Sequence, residues 1–175
     1  MERRERLDRQ AGRPVDALPD GSRRLIVANV PAERQQATPC EVDFYVLEDP
    51  SADPAVQACR LALMNWERDR GVFVVTADEA AGRRLDELMW ERPGGRFLPH
   101  ALAGSQAACK APVNIGPLSA LNQVDVVINL CPEAIPQPQR FSRIQEIVPF
   151  GDRDASRAKY RVYRELGLAP QTQKV

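Results

Sequence analysis

Gly71-Val-Phe-Val-Val-Thr-Ala-Asp-Glu79 decides the fold. Five residues without a charge, four of them apolar, follow a glycine and lead into an acidic capping pattern. A continuous apolar run fits a strand covered on both faces, as in the parallel sheets of α/β proteins. Gly71 is expected to end a preceding helix as its C′ residue. Thr76-Ala-Asp-Glu79 has capping-box spacing and should start the next helix.

Reading outward from there gives alternating strands and helices. Upstream, Val42-Asp-Phe-Tyr-Val-Leu47 is β-branched and aromatic and reads as a strand. Asp53 caps a helix with Pro54 at its first position. Val56, Cys59, Leu63 and Trp66 recur at helical spacing as its inner face. Downstream, Ala81, Leu85, Leu88 and Met89 form the stripe of a second helix, stopped by Pro93 and the Gly94-Gly95 pair. Pro112–Ile115 and Val124–Leu130 are further strands, and Ile144–Phe150 is the expected last one. Asp152 or Asp154 opens a final helix that runs to about Leu166, before Gly167. The pattern predicts an α/β, three-layer, Rossmann-like domain with a mostly parallel central sheet of about five strands.

Residues 1–40 differ from the rest. Arg3, Arg4, Arg6, Arg9 and Arg13 alternate with Glu2, Glu5 and Asp8, and scattered prolines follow. Only Leu25–Ala28 reads as a short strand. The segment is expected to be a mobile extension, either a true appendage or the product of a start codon set too far upstream, with residues 41–175 as the α/β domain.

Composition narrows the function classes. Of 175 residues, 43% are hydrophobic and 27% charged, with 24 basic and 24 acidic side chains balancing to zero net charge. Nucleic-acid binders carry a basic excess, because phosphate neutralisation supplies most of their non-specific affinity. Direct DNA binding through the final helix is therefore disfavoured. Cys40, Cys59, Cys109 and Cys131 are far apart and His100 is the only histidine, so no metal site and no cofactor is expected. No apolar run spans a bilayer and no signal peptide precedes the domain, so a cytoplasmic protein with no membrane contact is expected.

No phosphate-binding glycine loop and no GxSxG elbow occurs. Asp49, at the end of the first strand, stands where α/β enzymes place functional carboxylates, but a turn aspartate is the commoner use. His100 is expected to hydrogen-bond within its Leu98-Pro-His loop. Two constellations remain. Trp90, Pro93 and Phe97 surround a helix stop and are either core or an exposed anchor for a partner. Arg153, Arg157, Tyr160, Arg161 and Arg164 share one face of the final helix, either a solvated surface or a clamp for carboxylates. Ala158, Val162 and Leu166 lie on another face and are expected to pack on the sheet.

Five stretches, in order, resemble the chi subunit of bacterial DNA polymerase III: Phe44-Tyr-Val-Leu47, Arg84-Leu-Asp-Glu-Leu-Met-Trp90, Phe97-Leu-Pro-His-Ala-Leu-Ala-Gly104, Ala111-Pro-Val113 and Tyr160–Gly167. Together they span roughly residues 42–174. The N-terminal extension departs from the family, and Phe150 stands where some relatives carry tyrosine. The resemblance implies a non-catalytic adaptor, the polymerase reaction belonging to the assembly. It implies that Trp90, Pro93 and Phe97 bind the psi subunit of the clamp loader, a surface also linked to an accessory helicase. It implies that Val148, Arg157, Tyr160 and, on the same helix face, Arg161 hold the acidic, phenylalanine-ended tail of single-stranded DNA-binding protein. Contact with nucleic acid would then be mainly indirect. The competing class is a small α/β nucleotide-binding enzyme with its pocket near Asp49 or His100.

Overall fold

The computed structural model describes residues 39–92 and 96–175. The expectations for residues 1–38, the Leu25–Ala28 strand included, lie outside the described residues, as does Pro93. The elements are β1 (Glu41–Val46), α1 (Pro54–Trp66), β2 (Val72–Thr76), α2 (Glu79–Glu91), β3 (His100–Leu102), β4 (Val113–Pro117), β5 (Val126–Asn129), β6 (Arg143–Val148), α3 (Arg153–Glu165) and β7 (Gln171–Lys174). Seven strands form one sheet in the order β3-β4-β2-β5-β6-β1-β7, and every pairing is parallel.

The sheet is thus larger than the expected five strands. The additions are its two edges. β3 has three residues, and β7 is Gln-Thr-Gln-Lys, exposed throughout. Neither carries the apolar run or alternation that marks a strand in sequence. Ile144–Phe150 is accordingly not the last strand: β6 ends at Val148, and β7 follows α3.

Strand alternation divides the core in two. Tyr45, Val72, Val74, Ile115, Val126, Ile128 and Ile147 face α1 and α2. Val42, Phe44, Phe73, Val75, Val127, Ile144 and Val148 face the opposite side, with Tyr163 of α3 and Ile135 and Phe141 of the β5–β6 connection. This is the three-layer arrangement. Gly116 lets the chain after β3 come close, since a Cβ there would lie 2.9 Å from the Ala103 Cβ.

Helix boundaries follow local chemistry, with two corrections. Asp53 caps α1 by accepting from the Ala55 N–H at 2.8 Å, with Pro54 first in the helix, as expected. The helix ends at Trp66, before Gly71. The left-handed residue is Asp69 at φ 57°, and the Gly71 N–H instead donates to the Asp125 carboxylate at 2.7 Å. The cap of α2 is Asp78, accepting from the Ala81 N–H at 2.7 Å, rather than Thr76. Thr76 remains in β2, and its hydroxyl donates to the Asp78 carbonyl. Arg92, just beyond α2, is extended at φ −129° and ψ 143°, as a residue before proline prefers.

The orientation of α3 overturns an expectation. Ala158, Val162 and Leu166 face solvent, the last two at 40% and 56% exposure. The buried residues are Lys159 and Tyr163. Both reach Glu146 of β6, which is fully buried. Lys159 Nζ donates to Glu146 Oε2 at 2.6 Å and to the Cys131 carbonyl at 2.9 Å. The Tyr163 hydroxyl donates to Glu146 Oε1 at 2.5 Å and accepts from the Ile135 N–H at 2.9 Å. Asn129 Nδ2 reaches both carboxylate oxygens at 3.0 and 3.1 Å. Burial pushes the Glu146 carboxyl above its ordinary range, against the lowering pull of Lys159, Tyr163 and Asn129. A buried charge costs far more unpaired than an aliphatic side chain costs exposed, so the polar partners go inward.

Removing one member of this network should be costly. Lys159→Met leaves Glu146 uncompensated, and the unfolding free energy is expected to fall by about 3–5 kcal/mol. Adding Glu146→Gln in the same chain should recover part of that loss, because the neutral amide needs no cation. Denaturant titration of the two variants checks both outcomes. A double variant no more stable than Lys159→Met would contradict the assignment.

Candidate protein-docking surfaces

The first surface begins with strand parity. Phe44 and Val46 of β1 lie on the α3 side of the sheet, with Val148 beside Val46 in β6 and Thr172 and Lys174 beside them in β7. Here α3 does not lie flat on β7. Between them is a cavity of about 280 Å³ with an apolar floor of Phe44, Val46 and Val148. Its α3 wall is Arg153, Ser156, Arg157 and Tyr160, and Lys174 and Glu48 stand at the β7 side.

The floor is buried, and the rim is exposed and charged. Val148 is 1% exposed, whereas Tyr160 is 37% exposed, with its ring 5.7 Å from that of Phe44. Arg157 pairs with Asp154 at 3.1 Å and Lys174 with Glu48 at 2.6 Å, both between exposed groups. Such pairs are weak, so either cation can exchange its partner for an incoming carboxylate. Arg153 makes no ion pair among the described residues. The first turn of α3 adds the positive end of a helix dipole.

Three of the four residues expected here therefore come together: Val148, Arg157 and Tyr160. Arg161 does not line the cavity; it is exposed, with Nε 3.5 Å from the Arg157 carbonyl. Sequence reading missed Phe44, Val46, Thr172 and Lys174. For the two β1 residues, alternation was the available signal, since Phe44 and Val46 share a face. For β7 no signal existed.

The second surface lies at the other edge of the sheet. Trp90, in the last turn of α2, and Phe97, before β3, are each 64% exposed, with ring centroids 5.9 Å apart. Met89 and Leu85 take the buried positions of that helix, which turns Trp90 outward. The Trp90 ring stands 4.8 Å from His100, whose side chain is buried. His100 is held as expected. Its Nδ1 is 2.7 Å from the Leu98 carbonyl, and its Nε2 is 3.2 Å from the Asp86 carbonyl. A neutral imidazole carries one N–H and donates to only one of these carbonyls; the Asp86 carboxylate also lies 3.5 Å from Nε2, and the ring packs against Trp90. The two surfaces are separated by the width of seven strands, about 29 Å at ~4.8 Å per step.

Other candidates for chemistry are spent locally. Asp49 accepts from the Ser51 N–H at 2.8 Å and the Ser51 hydroxyl at 2.7 Å, which hold its carboxyl below the ordinary range. Burial pushes the Cys40, Cys59 and Cys131 thiols up to about 11, away from thiolate reactivity. Among the described residues no metal-binding cluster of His, Cys, Asp or Glu occurs, and no helix is long and apolar enough to cross a membrane.

Residues 40–171 match the family described as DNA polymerase III chi subunit, HolC. The DNA polymerase III subunit chi of Pseudomonas aeruginosa is 40% identical over 135 residues, covering 74% of this chain and 93% of that protein. The Haemophilus influenzae subunit is 31% identical over 128 residues, covering 71% and 88%, and the Escherichia coli subunit is 29% identical over 134 residues, covering 71% and 91%. Among solved structures, yeast Dbp5 bound to Nup159, Gle1, IP6 and ADP superposes with a TM-score of 0.57 at 9% identity, over 80% of this chain and 42% of that one, a likeness of fold alone. With the family match running from the residue before β1 to the first residue of β7, the chain belongs to the DNA polymerase III chi subunit family.

Proposed function

We propose that this chain is a non-catalytic adaptor of the replicative polymerase assembly. Its Trp90–Phe97 surface, with Pro93, docks the psi subunit of the clamp loader. Its α3 groove captures the acidic tail of single-stranded DNA-binding protein. The observation that carries the reading is the groove itself: an apolar floor at Val148 and Phe44, an aromatic wall at Tyr160, and cations at Arg153, Arg157 and Lys174. A peptide ending in phenylalanine offers one ring for the floor and a terminal carboxylate for the rim, and guanidinium groups bind carboxylates through paired hydrogen bonds. Trp90 supports the other half, because it stands exposed beside Phe97 and tryptophan is enriched among interface hot spots. Joining two weak contacts in one chain raises the local concentration of each partner for the other without new chemistry. Acting through proteins also fits the zero net charge. An accessory helicase would compete with psi for the Trp90 surface.

The groove is tested by titrating an acidic peptide with a terminal phenylalanine. Arg157→Ala is expected to cost about 1–3 kcal/mol of affinity, and rising salt should weaken the wild-type complex. Deleting the terminal phenylalanine should abolish binding. Equal affinity for wild type and variant, or indifference to the missing ring, would return α3 to a merely solvated surface.

The other surface is tested by Trp90→Ala. Psi binding should weaken by about 2 kcal/mol or more, roughly thirtyfold. The folding midpoint should move only modestly, since the lost contacts are the exposed pair with Phe97 and the packing on His100, aromatic contacts of about 0.5–1.5 kcal/mol each. A stability loss of the size of a core truncation, about 3–5 kcal/mol, would show that Trp90 holds the domain together rather than a partner.

A further inference from the structure

Among the described residues, one row of hydrogen-bonding groups beside the groove has no partner: β7 is the edge of the sheet there and pairs with β1 alone. In a parallel ladder alternate residues of an edge strand direct both N–H and C=O to the neighbour, and the residues between direct theirs outward. The Val175 N–H donates to the Val46 carbonyl, and the Glu48 N–H donates to the Val175 carbonyl. Val175, Gln173 and Gln171 therefore face β1. The main-chain groups of Thr172 and Lys174 point away from the sheet, and no hydrogen bond to them occurs among the described residues. These are the same two residues whose side chains line the groove.

We propose that the acidic segment of the tail binds as an eighth strand, hydrogen-bonded to the outward main-chain groups of Thr172 and Lys174, and that the chain leaves the edge beyond it to carry the terminal ring over β7 into the α3 groove. This mode rests on the groove reading above and adds the backbone to it. Main-chain bonds then supply affinity that does not depend on sequence, while the pocket selects the side chains. Charge decides which strand is admitted. A short edge bearing lysine resists neutral or basic strands, but with Lys174 and Arg157 alongside, a carboxylate-rich segment meets the opposite sign.

Proline substitution on the protein separates backbone from side chain. Proline is tolerated on an edge strand where the N–H faces solvent, as at Thr172. Thr172→Pro should remain folded and bind the acidic, phenylalanine-ended peptide about tenfold more weakly or worse, through the lost bond and the ring in its place. Thr172→Val keeps the N–H and controls for the lost side chain: it should bind about fivefold or more tighter than Thr172→Pro. On the wild-type chain, residue-resolved hydrogen exchange at saturating peptide should slow at Thr172 and Lys174 by about tenfold or more, and stay unchanged at Gln173. This reading stands without any variant.

Peptide that binds while Thr172 and Lys174 exchange at their free rates overturns strand addition and leaves the groove assignment intact. Equal binding by folded Thr172→Pro and Thr172→Val does the same. Failure of the unmodified peptide to bind wild type overturns both.

Discussion

The buried carboxylate of Glu146 fixes where α3 lies, and the groove depends on that placement. Few apolar side chains of this helix reach the sheet. Lys159 and Tyr163 anchor it through directional bonds that also gather the Cys131 carbonyl and the Ile135 N–H. Apolar contact is tolerant of small rotations, whereas a lysine and a tyrosine sharing one carboxylate permit a single register. In that register Tyr160 meets Phe44, and Arg153 and Arg157 stand over β1 and β7. The outward Val162 and Leu166 follow from the same constraint, because the inward positions are already taken by the polar pair.

The sheet then sets the distance between the two surfaces. Parallel strands place α2 on one face and α3 on the other, and the strand order sends them towards opposite edges. The Trp90–Phe97 surface and the groove beside β7 share no residue. Both can be covered at once, as the proposed adaptor role requires. Rigid burial of the central strands, from Val72 to Val75 and Val126 to Ile128, keeps the spacing constant.

Much of this was legible in the sequence, for physical reasons that can be located. The central strands announced themselves because burial on both faces requires unbroken apolar runs, as in Val72–Thr76. The cap at Asp53 was legible because its oxygen, followed by Pro54, has few other local uses. The edges β3 and β7 were hidden, since a strand paired on one side and bathed in water needs no apolar pattern. The face of α3 was misread because hydrophobicity assigns Val162 inward and Lys159 outward, and only knowledge of Glu146 behind the helix reverses that. Thr76 was misread as a cap because a hydroxyl at the end of a strand and one at the start of a helix look alike in sequence. At the site, Val148, Arg157 and Tyr160 were named through family resemblance. Phe44 and Val46 required the register that sets them beside β6 and β7.

The pairing of β7 with β1 has a consequence in time. Asp43 and Gln173, neighbours in the sheet, are 130 residues apart in the chain. The groove draws its floor from β1 and β6, one wall from α3 and the other from β7, so no contiguous fragment contains it. Contacts of such long sequence separation carry a large loop-closure cost and slow folding. A chain still emerging during synthesis already carries α2 and Trp90 but has no groove. The groove is complete only in molecules whose β7 has joined the sheet.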